Sequence, residues 1–169
     1  GYVYFQERQN RDSILNLKKI KNKDAKAWGI LGQNYLELGL FNEAIECLEF
    51  ATYMNNKDLH GLFLLSQSYL ENGDNKMAIF YLSKCWQICP KNPEIAFLYS
   101  IACTNMKSPE YFRTAKGLIM EAQSNDHPEL IASGIMMGVK MKDKDFIDLL
   151  IDKIKPSDLK SPSFLKILS

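Results

Sequence analysis

Residues 25–58 read AKAWGILGQNYLELGLFNEAIECLEFATYMNNKD, and residues 59–92 read LHGLFLLSQSYLENGDNKMAIFYLSKCWQICPKN. The second stretch copies the first at an offset of 34 residues. Trp28 falls on Leu62, Leu31 on Leu65, Tyr35 on Tyr69, Leu36 on Leu70 and Glu37 on Glu71. The register continues through Gly39 and Gly73, Ala44 and Ala78, Leu48 and Leu82, and Ala51 and Cys85. A period of about 34 residues is a signature of tandem helix–turn–helix units, none of which can bury its apolar face alone. A stack of such units offers a long surface to a ligand. The question becomes what lies against the chain rather than which reaction it runs.

Each copy holds two amphipathic helices. Over residues 26–38, Trp28, Leu31, Tyr35 and Leu38 recur at spacings of three and four, which lays one apolar stripe along a helix. Gly39 supplies a left-handed stop. A second helix spans about 42–54, with Ala44, Ile45, Leu48 and Ala51 on one face, and 55–58 reads as a turn. Ala44 and Ala78 fall where paired helices cross most closely, and larger side chains there would push the axes apart.

The pattern Trp28, Leu31, Gly32, Tyr35, Gly39, Ala44, Ala51 resembles the tetratricopeptide repeat. The second copy keeps Leu65, Tyr69, Gly73, Ala78 and Pro90, and replaces the tryptophan with Leu62 and the first glycine with Ser66. The resemblance implies an all-α, right-handed α-solenoid of antiparallel helix pairs. A third copy is partial: 94–106 and 114–124 read as its helices, with Ala115, Ile119 and Ala122 in the packing places. The stretch 107–113 between them reads as a loop about three residues too long. A fourth, degenerate pair covers 129–141 and 145–155, with a turn at 142–144 and Pro156 as its stop. Gly134 and Gly138 predict tight contact with a neighbouring helix. Residues 163–168 read as a closing turn or short helix.

The expected organisation is an N-terminal segment or capping helix over 1–24, a repeat domain over 25–155 and a C-terminal tail or cap over 156–169. The repeat domain divides into 25–58, 59–92, 93–128 and 129–155. Tyr2-Val3-Tyr4-Phe5 is strand-like by propensity, and 12–20 is helical with Asp12 or Ser13 as N-cap. That helix is either the second helix of a preceding repeat or a cap. The chain opens on Gly1 without methionine, as an excised piece of a longer protein would.

Net charge near +1 gives no drive toward nucleic acid or an acidic membrane. No apolar run approaches a membrane span, and no signal-peptide pattern opens the chain. Cys47, Cys85, Cys89 and Cys103 all fall in expected helices, where cysteine is a small core hydrophobe. The expected compartment is therefore reducing and cytoplasmic. Neither His60 nor His127 has a metal-like spacing to the cysteines. The carboxylates three apart, Glu43 with Glu46 and Asp145 with Asp148, read as solvated helix faces. The basic run 18–26 reads as a solvated helix end. No catalytic residue, metal or cofactor is expected, and the chain is not expected to be an enzyme.

In tetratricopeptide proteins the first helices of successive repeats line a concave groove. Carried over residue by residue, the groove places are Lys26, Gly29, Ile30, Gln33, Leu36 and Glu37. Their counterparts are His60, Phe63, Leu64, Gln67, Leu70 and Glu71, then Glu94, Phe97, Leu98, Ile101, Thr104 and Asn105. The family's carboxylate clamp for heat-shock chaperone tails has Gly29, Gln33, Leu64, Glu94 and Leu98 in its places, so that ligand mode is not expected. The expected partner is a protein or peptide with apolar anchors. It would meet Ile30, Gln33, Phe63, Leu64, Gln67, Leu70, Phe97, Leu98 and Ile101. Exposed apolar patches of that kind mark interaction sites. Phe50, Tyr53, Phe80, Tyr81 and Trp86 lie off the packing places, as inter-repeat packing or as a homodimer face.

The leading reading is a protein-interaction scaffold or adaptor. Size and architecture also resemble the chaperones of hydrophobic translocator proteins in bacterial type III secretion. A repeat arm of a larger assembly or multidomain enzyme is the third reading.

Overall fold

The structure, a computed structural model, describes residues 2–122, 127–162 and 165–166. The chain divides into two units, Gly1–Ile88 and Cys89–Ser169. The first holds α1 (Tyr2–Lys18), α2 (Ala25–Glu37), α3 (Phe41–Met54), α4 (Leu59–Glu71) and α5 (Asn75–Ile88). The second holds α6 (Pro93–Asn105), α7 (Pro109–Ala122), α8 (Pro128–Met141), α9 (Lys144–Ile151) and a 3-10 turn at Asp158–Lys160. Among the described residues there is no strand.

The helix boundaries repeat because the punctuation repeats. Asp24 caps α2 by accepting from the Ala27 amide at 2.7 Å. Asp58 caps α4 through the His60 amide at 3.2 Å, and Asn92 caps α6 through Glu94 and Ile95. Asp24, Asp58 and Asn92 are themselves spaced by 34 residues. Each satisfies backbone N–H groups that a helix start leaves open. Pro93 and Pro128 take the first helical position after their caps, where a missing N–H does no harm. At the other end Gly39 (φ 72°) and Gly73 (φ 84°) adopt the left-handed conformation. The Leu40 amide then reaches the Tyr35 carbonyl, as Asp74 does Tyr69, each at 2.9 Å.

Lys107 (φ 52°) and Lys142 (φ 58°) occupy the same turn without glycine. A left-handed L-residue costs about 1–2 kcal/mol, partly offset in a lysine-to-glycine change by the greater chain entropy of glycine. Lys142→Gly is expected to raise the urea midpoint by up to about 1 kcal/mol equivalent. A lowered midpoint would show that the Lys142 side chain contributes more than its backbone loses.

In the first unit, Ile14, Leu31, Tyr35, Ala44, Ile45, Cys47, Leu48, Leu64 and Leu65 form one buried cluster, flanked by Trp28, Leu36, Tyr69 and Tyr81. Ala44 and Ala78 are fully buried, as close helix crossing requires. Gly32 makes room for Leu48: a Cβ on it would lie 2.5 Å from Leu48 Cγ. The N-terminal segment departs from the sequence expectation. Residues 2–5 are the first turn of α1 rather than a strand, and Asp12 and Ser13 lie inside that helix rather than capping it. Ile14 and Leu17 join the cluster on α2, and Asn34 Nδ2 donates to Ser13 Oγ at 2.7 Å. Ile14 precedes Leu48 by 34 residues, and α1 lies on α2 as α3 lies on α4. Helix-on-helix burial therefore overrides the β-propensity of Tyr, Val and Phe.

In the second unit the expected long loop is absent. Only 106–108 connect α6 to α7, and 109–113 are helical from Pro109 onward. The Phe112 amide bonds to the Ser108 carbonyl at 3.0 Å. The extra residues become an added first turn, so the buried stripe of α7 is Ala115, Leu118, Ile119 and Ala122. α8 and α9 touch through two glycines. A Cβ on Gly134 would lie 2.6 Å from Leu150 Cδ1, and one on Gly138 would lie 2.7 Å from Ile147 Cγ1. α9 stops at Ile151, four residues short of the sequence expectation and well before Pro156. Its cap Asp143 accepts from the Phe146 amide and from Lys116 Nζ at 2.6 Å, and the lysine holds the Asp143 carboxyl below its ordinary range. The expected closing turn at 163–168 falls largely outside the described residues.

Candidate functional site

In the first unit a groove of about 440 Å³ is lined by Gln33, Leu36, Glu37, Gly39, Phe41, Leu64, Gln67 and Glu71. α2 and α4 supply most of its walls. Leu36, Phe41 and Leu64 give it an apolar floor, and the glutamines and glutamates stand around it. Gln33 with Gln67, and Glu37 with Glu71, are pairs from equivalent places in the two repeats. Their shared position follows from the helical period, since residues four apart lie on one face. Glu37 is fixed by neutral donors: Gln33 Nε2 gives to Oε1 at 3.0 Å and Asn10 Nδ2 to Oε2 at 2.8 Å.

The expected groove residues do not all behave alike. Gln33, Leu64 and Gln67 line the cavity. Ile30 is 39% exposed on α2, whereas its counterpart Leu64 is 8% exposed. Leu64 belongs to the core cluster that includes Leu31 and Tyr35 of α2. Phe63 and Leu70 are half-buried on α4 and outside the cavity lining. Phe97, Leu98 and Ile101 are half-buried on α6 in the second unit. The Phe97 ring rests 5.8 Å from that of His127, which caps α8 through Nδ1. Leu36, Glu37 and Glu71, also expected as groove places, line the cavity too, and Gly39 and Phe41 join them without having been expected there.

A second, larger depression of about 640 Å³ is lined by Glu46, Glu49, Phe50 and Tyr53. All four belong to α3. Most aromatics of the second helices are occupied in packing. Phe50 stacks on Trp28 at 5.0 Å, Tyr81 on Tyr69 at 5.7 Å, and Lys84 Nζ sits over both Phe80 and Tyr81. Tyr53 is 89% exposed. Tyr69 Oη donates to Glu49 Oε1, and burial together with this bond pushes the phenol pKa up.

Cys47, Cys85 and Cys103 are buried, and burial pushes the first two thiols up to about 11 and the third up to about 12. A thiol held protonated at neutral pH is a poor nucleophile and a poor metal ligand. Among the described residues no three His, Cys, Asp or Glu side chains cluster as a metal site. Among them, too, no helix is long and apolar enough to cross a membrane.

The family model of the tetratricopeptide repeat matches residues 25–58 and 59–92. Residues 25–92 match that repeat model, and the described residues have an all-α helical-repeat fold. A solved structure of MamA from AMB-1 is similar over 99% of this chain and 93% of its own, at 15% identity and a TM-score of 0.76. TTC0263, a thermophilic TPR protein of Thermus thermophilus, is similar over 98% of this chain and 84% of its own, at 17% identity and a TM-score of 0.65. PilF of Pseudomonas aeruginosa is similar over 86% and 66%, at 15% identity and a TM-score of 0.64. At such identities the likeness concerns the fold. No curated protein sequence matches the chain. Tetratricopeptide repeats generally act as protein-interaction scaffolds, which implies protein partners.

Proposed function

We propose that this protein is a non-enzymatic interaction module that binds a segment of a partner protein in the groove between α2 and α4. The observation that supports this reading is the groove itself, about 440 Å³ with an apolar floor and paired amide side chains from successive repeats. A side-chain amide can both give and accept hydrogen bonds, so Gln33 and Gln67 suit the backbone of a bound segment. Leu36 and Phe41 are the anchors for its apolar side chain, with Leu64 beneath. Ile30, Phe63 and Leu70 extend the apolar surface of the same helices, and Phe97, Leu98 and Ile101 are the corresponding proposal for α6. The buried thiols suit a reducing, cytoplasmic setting.

Leu64 is a poor site for a test, because its burial would confound binding with folding. Leu36→Asp is the better variant, since Leu36 is only half-buried. Peptides selected from a random displayed library against the wild-type chain should shift the backbone amide resonances of Gln33, Leu36 and Gln67. Leu36→Asp should weaken them at least tenfold while the helical circular dichroism is retained. Selected peptides that shift only α3 resonances, or that bind Leu36→Asp unchanged, would place recognition elsewhere.

A further inference from the structure

Two carboxylates, Glu37 and Glu71, stand at one end of the groove. Glu37 is the last residue of α2 and Glu71 the last residue of α4. A helix C-terminus carries a partial negative charge from its aligned carbonyls, which basic residues in the last turn ordinarily offset. Neither α2 nor α4 has a basic residue there. Both instead end on a carboxylate, which the helix dipole disfavours. Among the described residues the cavity lining holds two carboxylates and no cation. Among the described residues neither glutamate forms an ion pair, and the donors to Glu37 are neutral amides.

From this charge we infer that the occupant of the groove is a basic peptide segment, carrying lysine or arginine on either side of an apolar anchor. The inference rests on the groove reading above and names its ligand class. Neighbouring packed helices lie about 8–10 Å apart, and an extended chain rises about 3.3 Å per residue. Basic residues two to four apart therefore reach Glu37 and Glu71 together, with an apolar residue between them over Leu36 and Phe41. The fold supports this division of labour. Lysine in place of either glutamate would favour its helix end, so charge reversal should leave the chain folded while removing the ligand.

The test uses two capped synthetic peptides, Ac-GKLGKLG-NH2 and Ac-GELGELG-NH2, alongside the library selection. Affinity is read by fluorescence anisotropy at low and physiological salt on the full chain and on the Glu37→Lys, Glu71→Lys double variant. The wild type should prefer the lysine peptide at least tenfold, with the preference falling as salt rises. The double variant should reverse the preference and keep its helicity. Library peptides should be enriched in lysine and arginine. If selected peptides move the groove resonances but show no basic enrichment, or keep their affinity for the double variant, the charge inference fails and the groove reading stands. If no peptide moves the groove resonances, both fail.

Discussion

Phe146→Ala is expected to destabilise the protein by about 3–5 kcal/mol, the range for emptying a buried aromatic site. Phe146 is 1% exposed and is the largest fully buried side chain among the described residues. It belongs to α9, which is only 8 residues long and cannot hold itself helical. Phe146 and Leu150 are the buried residues of that helix. Lys116 Nζ lies 4.8 Å from the centre of the Phe146 ring, and Gly138 of α8 lets the ring approach. Removing the ring should therefore release α9 together with its Asp143 cap and the Lys116 contact. The check is the urea midpoint together with hydrogen exchange of the α9 amides. Phe146→Leu, which fills most of the volume, should lose much less. Small losses in both variants would mean that α9 owes its position to the cap rather than to the ring.

Leu48→Ala should cost about 2–5 kcal/mol, because Leu48 is fully buried in the first unit. Its neighbour Gly32 makes the case sharper. A Cβ on Gly32 would stand 2.5 Å from Leu48 Cγ and 3.2 Å from the Ala44 carbonyl oxygen. Gly32→Ala alone is thus an overpacking change, worth about 1–3 kcal/mol of destabilisation. In the Leu48→Ala background the new methyl would enter vacated space. The double variant should be more stable than the sum of the two losses, with a coupling of about 0.5–3 kcal/mol. Additive losses would show that Gly32 and Leu48 do not compete for the same volume. In the second repeat Ser66 stands in the place of Gly32, with its hydroxyl bonded to the Phe63 carbonyl at 2.6 Å. A Cβ is accommodated there, so of these two repeats only the first requires the glycine.

Much of the fold was legible along the chain because repeats announce themselves by period. The stripe of Trp28, Leu31, Tyr35 and Leu38, the glycine stops at Gly39 and Gly73, and the small residues Ala44 and Ala78 are local signals with local causes. The close approach at Gly134 and Gly138 was also readable, since helical glycines four apart open one face. The caps Asp24, Asp58 and Asn92 carried a readable signal that composition alone hides. They appear as turn residues until their common spacing is noticed.

Three features were decided by tertiary structure. The aromatic segment at 2–5 becomes helical because α1 carries Ile14 and Leu17 onto α2, and burial outweighs strand propensity. The residues taken for a long loop join α7, because Pro109 can open a helix and the added turn shifts the buried stripe without lengthening the connection. Ile30 and Leu64 are equivalent in sequence but not in space: Leu64 is buried in the core cluster, while Ile30 remains open. The sequence by itself determined the two full repeats, their helix pairs and the glycine stops at Gly39 and Gly73, since those depend on spacing and backbone chemistry within about 34 residues. Tertiary structure alone decided that Phe41 joins the groove while Ile30, Phe63 and Leu70 fall outside its lining, because a cavity wall is set by how helices pack rather than by place within a repeat.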